Sequence, residues 1–217
     1  MRVLRESELP EYREHLLRLD RADRRLRFGF IIDDAGIDAH VRRLRVGADR
    51  ILAVLHDFGS VVAAAHIAFV GEDAAELAFS VERRWRNHGI GRALFQRALS
   101  WLRSRGFRRV FLVYLGENGA MRTLARAFGM TFETASGEVT AELTLPPATP
   151  LSVLRELAAE LAALWHPPLW PTQVWTPPAW PTGPWPGTLW PSSALSPAAL
   201  WPPSRRPASL PVPQPTA

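Results

Sequence analysis

A mixed α/β fold, with a mostly antiparallel central sheet flanked by helices, is the class this sequence predicts. Three observations carry it. Two β-rich runs, residues 50–57 and 60–70, meet at Phe58-Gly59, a hairpin signal. From residue 75 onward the pattern becomes strand, helix, strand, helix, strand, which adds a layer of helices to the same sheet. Past residue 165 the periodicity disappears, so the fold must be built from what precedes it.

Taken in order, "RVLRES" (2–7) reads as a short strand. Residues 8–20 read as an amphipathic helix with Tyr12, Leu16 and Leu19 along one face. Residues 21–46 hold two further short helical patterns, the second with Ile37, Val41 and Leu44. The hairpin runs follow, then "AELAFSV" (75–81) as a third β-rich strand after the turn-like "GED". A helix over about 90–105 has an apolar stripe of Leu94, Phe95, Ala98, Leu99 and Leu102, with Gly106 as its C-cap. "RRVFLVYL" (108–115) is apolar on both faces, as a strand buried between layers should be. Residues 117–129 form a helix ending on glycine, 131–145 a closing hairpin, and 151–165 a last helix started by Thr149 or Ser152.

The predicted domain is therefore 1–147, with a C-terminal helix over 148–165 and a tail over 166–217. The last 53 residues contain 16 of 20 prolines and seven of nine tryptophans but no acid. Tryptophan recurs every five residues from Trp165 to Trp190, a period matching neither helix nor strand. Proline at this density forbids helix interiors and sheet ladders. The tail reads as low-complexity and disordered, with a proline-rich or aromatic docking segment as the alternative.

Composition limits the chemistry. Of 217 residues none is cysteine, which excludes disulfides, thiolate nucleophiles and cysteine metal sites, and no metal is expected. The N-terminus lacks the apolar stretch of a secretory signal, and no run has the 18 or more apolar residues of a membrane span. The expectation is a cytoplasmic protein without a membrane partner. Residues 1–160 hold 24 arginines and all 21 acids, a net +3. Lysine is absent throughout. That reads as coding bias in a GC-rich genome, with avoidance of self-modification by a lysine-modifying enzyme as the alternative.

The informative stretch is "RWRNHGIGRALFQRAL" (84–99). Glycine inside a helix costs roughly 1 kcal/mol relative to alanine, so Gly89 and Gly91 at a helix start need another reason. A helix N-terminus leaves about four backbone amides unpaired and partly positive, and glycines let an anion approach them. Residues 83–109 hold nine arginines and no acid, so a diphosphate suits the region. The run Arg86-Asn87-His88-Gly89-Ile90-Gly91-Arg92, directly after a strand, matches the R/Q-x-x-G-x-G/A acyl-CoA pyrophosphate loop. Here the chain resembles the GCN5-related N-acetyltransferase (GNAT) family over most of residues 1–145.

The resemblance implies a sheet whose fourth and fifth strands splay apart around the pantetheine arm of acetyl-CoA, the co-substrate. It places the Val81 backbone against that arm and the amides of residues 87–92 on the diphosphate, and it matches Asn118 to a cofactor-contacting asparagine. Asn118 also reads as a helix N-cap, and the two roles can coexist. The implied activity is transfer of acetyl to a primary amine of a small molecule or a protein. The family's usual acid, a tyrosine seven residues after the asparagine, is Ala125 here, and Met121 stands where an alanine is expected.

An amine with a pKa near ~10.4 must lose a proton before attack, and a general base typically contributes ~10²–10⁴-fold. Glu76 is the first candidate base, on one strand face with Ala78 and Ser80; a solvated strand-end glutamate is the alternative. His66 is the second, in an apolar run where a buried histidine satisfied by a carbonyl is the alternative. Tyr114, one of two tyrosines, is a candidate acid or a packing residue. Ala125 also keeps open an acyl-CoA-binding module without turnover. The arginines of 83–109 are shared among loop, helix and strand with no nucleic-acid motif, so no nucleic-acid partner is expected. The acceptor is not legible, and the oligomeric state is open, a homodimer included.

Overall fold

The computed structural model describes residues 1–45, 47–56 and 59–165. The predicted 166–217 tail and Phe58 of the hairpin signal lie outside the described residues.

Seven strands form one sheet: β1 Arg2–Val3, β2 Asp49–His56, β3 Ser60–Val70, β4 Ala74–Val81, β5 Arg109–Leu115, β6 Thr131–Ala135 and β7 Glu138–Thr144. Their order is β1-β2-β3-β4-β5-β7-β6, and every pair is antiparallel except β4 with β5. Six helices flank it: α1 Leu9–Leu17, α2 Arg21–Phe28, α3 Asp34–Arg42, α4 Ile90–Ser104, α5 Gly119–Ala127 and α6 Pro150–Trp165.

Over β2–β4 the sheet has buried residues on both faces, by strand alternation. Leu94, Phe95, Ala98 and Leu102 of α4 pack on Ala65, Ile67, Leu77, Val110 and Leu112. Tyr12, Leu16 and Ile37 of α1 and α3 pack on Ile51, Ala53, Val61 and Ala64 of the opposite face. Each large side chain fully buried this way stabilises by roughly 1.5–3 kcal/mol.

The α4 stripe and the Tyr12, Leu16, Leu19 face are buried as their spacing predicts. Gly106 closes α4 with φ +85°, a left-handed conformation that favours glycine. Thr149 and Ser152 cap α6 reciprocally, each backbone amide donating to the other's hydroxyl.

Two expectations need correction. The first strand covers only Arg2–Val3, and Glu6–Glu8 form a 3-10 turn that leads into α1, with proline in its first turn. Strand β5 is buried on one face, through Val110, Leu112 and Tyr114, while Val113 is 40% exposed on the other. Helix α2 reaches the edge of that second face, where Gly29 lies beside Glu138 and Arg25 pairs with Glu117, and Val113 itself stays exposed. Among the described residues, no helix is long and apolar enough to cross a membrane.

Candidate functional site

The β4–α4 loop is shaped by its backbone. Asn87 (φ +63°) and Gly89 (φ +75°) both adopt left-handed conformations, which turn the chain sharply into α4. The first intrahelical bond runs from Ala93 N to Gly89 O at 2.9 Å, so the amides of Ile90, Gly91 and Arg92 precede the helix ladder and have no place in it. A Cβ built on Gly89 or Gly91 would meet nothing within 4 Å. Gly91 is helical, so neither backbone strain nor protein packing demands its glycine. The space a side chain would fill is free for a ligand. His88 and Arg92 are exposed beside the same turn.

Arg86 does something different from its neighbours. Its Nε donates to Val81 O at 3.0 Å, and its Nη2 pairs with Asp23 of α2 at 2.6 Å. The guanidinium therefore braces the loop between β4 and α2, leaving the backbone amides as the anion donors. Backbone donors, an acid-free stretch and open space at Gly91 together fit a diphosphate.

Strands β4 and β5 pair only at Ala74–Arg109, Ala75–Val110 and Glu76–Phe111. Beyond Glu76 the ladder stops, and Leu77–Val81 separate from Leu112–Leu115. The cleft thus opens at Glu76 and widens toward the glycine loop. Asn118 Oδ1 accepts from Met121 N at 3.1 Å, which makes it the N-cap of α5. Ala125 is fully buried in the core under α5. Tyr114 lies in that core on the cleft portion of β5, and its buried Oη has no hydrogen-bond partner among the described residues. Burial pushes the phenol pKa above 10.0, against the opposing charges of Arg122 and Arg126, so Tyr114 stays protonated.

Glu76 faces the α1–α3 side. Burial raises its pKa above the usual 4.5, Arg27 of α2 opposes the rise, and Glu138 of β7 adds to it. His66 lies on this side one position along: it pairs with Ala78, and Glu76 with Ala68. Its Nε2 meets Asp49 Oδ1 at 2.8 Å, and its Nδ1 is 3.4 Å from Arg27 Nη2. The histidine is satisfied by a carboxylate rather than by a backbone carbonyl, and both ring nitrogens are engaged. Burial lowers its pKa, with Asp49 opposing. His40 stacks edge-on to it at 5.6 Å, and burial drops that imidazole to about 3.

The structure gathers the expected site residues into two adjoining groups. Val81, Arg86, Asn87, His88, Gly89, Ile90, Gly91 and Arg92 make the loop; Glu76 and His66 make a polar floor behind α2. Tyr114 and Asn118 border the cleft from β5 and α5. Sequence reasoning missed Asp23, Arg27 and His15. His15 is fully buried in α1 and bonded to Ser80 of β4 at 2.8 Å. It falls on the stripe of Tyr12, Leu16 and Leu19, and that position was its only signal.

The acetyltransferase (GNAT) family model matches residues 4–130, more than half of the chain. Among curated proteins none matches the sequence. Several solved structures are similar in fold. The GNAT domain of S. lividans PAT superposes with a TM-score of 0.58 at 20% identity, over 66% of this chain and 89% of that one. A GNAT-family acetyltransferase from Streptococcus pneumoniae gives 0.53 at 15% identity, over 67% and 98%. RimL, the ribosomal L7/L12 α-N-protein acetyltransferase in complex with coenzyme A, gives 0.52 at 16% identity, over 66% and 92%.

Proposed function

Because the chain belongs to the acetyltransferase (GNAT) family, we propose that it transfers an acetyl group from acetyl-CoA to a primary amine of a small molecule or protein. The observation that carries this reading is the continuity of one cleft. It runs from the bare amides of Ile90–Arg92, past the unpaired stretch of β4, to the half-buried carboxylate of Glu76. A protein amine stays within the class because RimL, of similar fold, is named for acting on a ribosomal protein.

Acetyl-CoA supplies the activated acyl group. The amides of residues 87–92 hold the diphosphate, and the Val81 backbone lines the arm. Glu76 takes the proton that the amine loses as its nitrogen bonds the acetyl carbon. Burial raises its pKa above that of an exposed glutamate, which makes its ionised form the stronger base. Tyr114 gives its phenolic proton to the departing sulfur as the carbon–sulfur bond breaks, and solvent returns that proton. This assignment fills the gap left by Ala125. His66, held by Asp49 and Arg27, orients the floor.

The absence of a tyrosine at 125 favours one second reading, an acyl-CoA-binding module without turnover. One experiment separates them: thiol release from acetyl-CoA by the purified full chain, against a panel of amines, amino acids and peptides. Amine-dependent release is the expected result. Binding of CoA with no release from any acceptor would leave only the binding module.

A further inference from the structure

Helix α2 carries four arginines, and they are not equivalent. Arg24 pairs with Asp34 at 2.6 Å and donates to two backbone carbonyls; Arg25 pairs with Glu117. Arg27 has no carboxylate within 4.0 Å among the described residues. It is half-buried, with its Nε shut away from solvent and lacking an acceptor. Its Nη2 has two long contacts, to Tyr12 Oη at 3.3 Å and to His66 Nδ1 at 3.4 Å, both uncharged partners.

A guanidinium stays ionised in any protein, and this one rests over the Phe28 ring at 4.9 Å without an anion to meet its charge. Its flat fork of donors matches a carboxylate. Arg27 stands on the acceptor side of the cleft, over the strand face that displays His66 and Glu76. Its charge is felt at Glu76, yet the two do not close into an ion pair. Glu138 of β7 lies beside Gly29 at the end of the same helix and adds negative field at Glu76, which suits a cation there. Val113, on this face of β5, is exposed, so solvent reaches this side of the sheet. A cation-seeking end and an anion-seeking end are held apart on one face.

We propose that Arg27 and Glu76 together select an amine that carries a carboxylate, of the free amino acid class. Arg27 holds the carboxylate, and Glu76 receives the amino group. The proposal rests on the acetyl-transfer reading above and narrows its acceptor.

The test compares kcat/KM for the full chain on matched triplets: free amino acids, their carboxamides and their decarboxylated amines. A charge-assisted hydrogen bond predicts at least about a 10-fold preference for the carboxylate form. Arg27→Gln should collapse that ratio toward one while CoA affinity, measured by calorimetry, stays unchanged. Arg27→Lys should recover part of the ratio, since a point charge survives but the fork does not. Should Arg27→Gln not fold, the ratio in the parent protein decides alone. Equal or better turnover of the carboxamides or plain amines overturns the Arg27 assignment and leaves acetyl transfer standing. Failure to turn over any acceptor overturns both.

Discussion

Nε2 of His15 and Oγ of Ser80 lie 2.8 Å apart across 65 residues of sequence, tying α1 to the end of β4. The far side of the imidazole faces Glu82, with Nδ1 3.5 Å from Oε1. Arg18 donates to the same carboxylate at 2.8 Å and to Val61 O at 2.6 Å. Glu82 immediately follows Val81 and precedes the glycine loop, so this network fixes the position of one wall of the cleft.

The network makes stability pH-dependent. Burial works against the Glu82 charge, but nearby His15 and the hydrogen bond and charge of Arg18 outweigh it and hold the carboxyl at about 2, below the usual 4.5. A folded pKa below the unfolded one gives stability that is present above pH 4.5 and lost as pH falls toward 2. Glu82→Gln should therefore lower Tm most at pH 7. The gap to the parent should close as pH drops from 4.5 to 2, read by calorimetric melts. A gap constant with pH would show that the charge is not what Glu82 contributes.

Gly91→Asp should affect stability and binding in opposite directions. The residue is helical and its new Cβ meets nothing within 4 Å, so the chain can accommodate it. An acid in the first turn of a helix favours it by about 0.3–1 kcal/mol. Beside a diphosphate the same charge is repulsive, and like-charge juxtaposition costs several kcal/mol. Tm should hold or rise while CoA affinity falls at least about 100-fold. Retained affinity would move the diphosphate elsewhere.

Glu76→Gln keeps volume and removes the base. Turnover should fall on the order of 10²-fold, the lower end for general base catalysis. In the parent, kcat/KM should fall on acidification through a pKa above 4.5, since burial raises Glu76 and only its ionised form accepts a proton. The variant should lack that limb. Should His66→Gln instead cause the larger loss, the base would be His66.

Tyr114→Phe removes a buried hydroxyl that has no partner among the described residues, so it should leave Tm unchanged or slightly raised. If Tyr114 protonates the departing sulfur, turnover should fall about 10-fold, less than for most general acids because thiolates leave readily. Unaltered turnover would assign that proton to water.

The order of strands and helices was legible because local periodicity reports which residues share a face, and the glycine loop because its register needs no distant partner. Arg86-Asn87-His88-Gly89-Ile90-Gly91 pointed to a diphosphate cradle from its register alone. Other features waited for the tertiary structure. The run 108–115 looks apolar on both faces, but only packing decided that α4 and α5 cover Val110 and Leu112 while Val113 stays open. Sequence counts arginines without saying which find an acid. Asp23 reaches Arg86 and Glu117 reaches Arg25, which leaves Arg27 without a carboxylate partner among the described residues. Those pairings depend on where α2 lies across the sheet. No local pattern encodes that placement, because the partners are brought together only by the packing of distant segments.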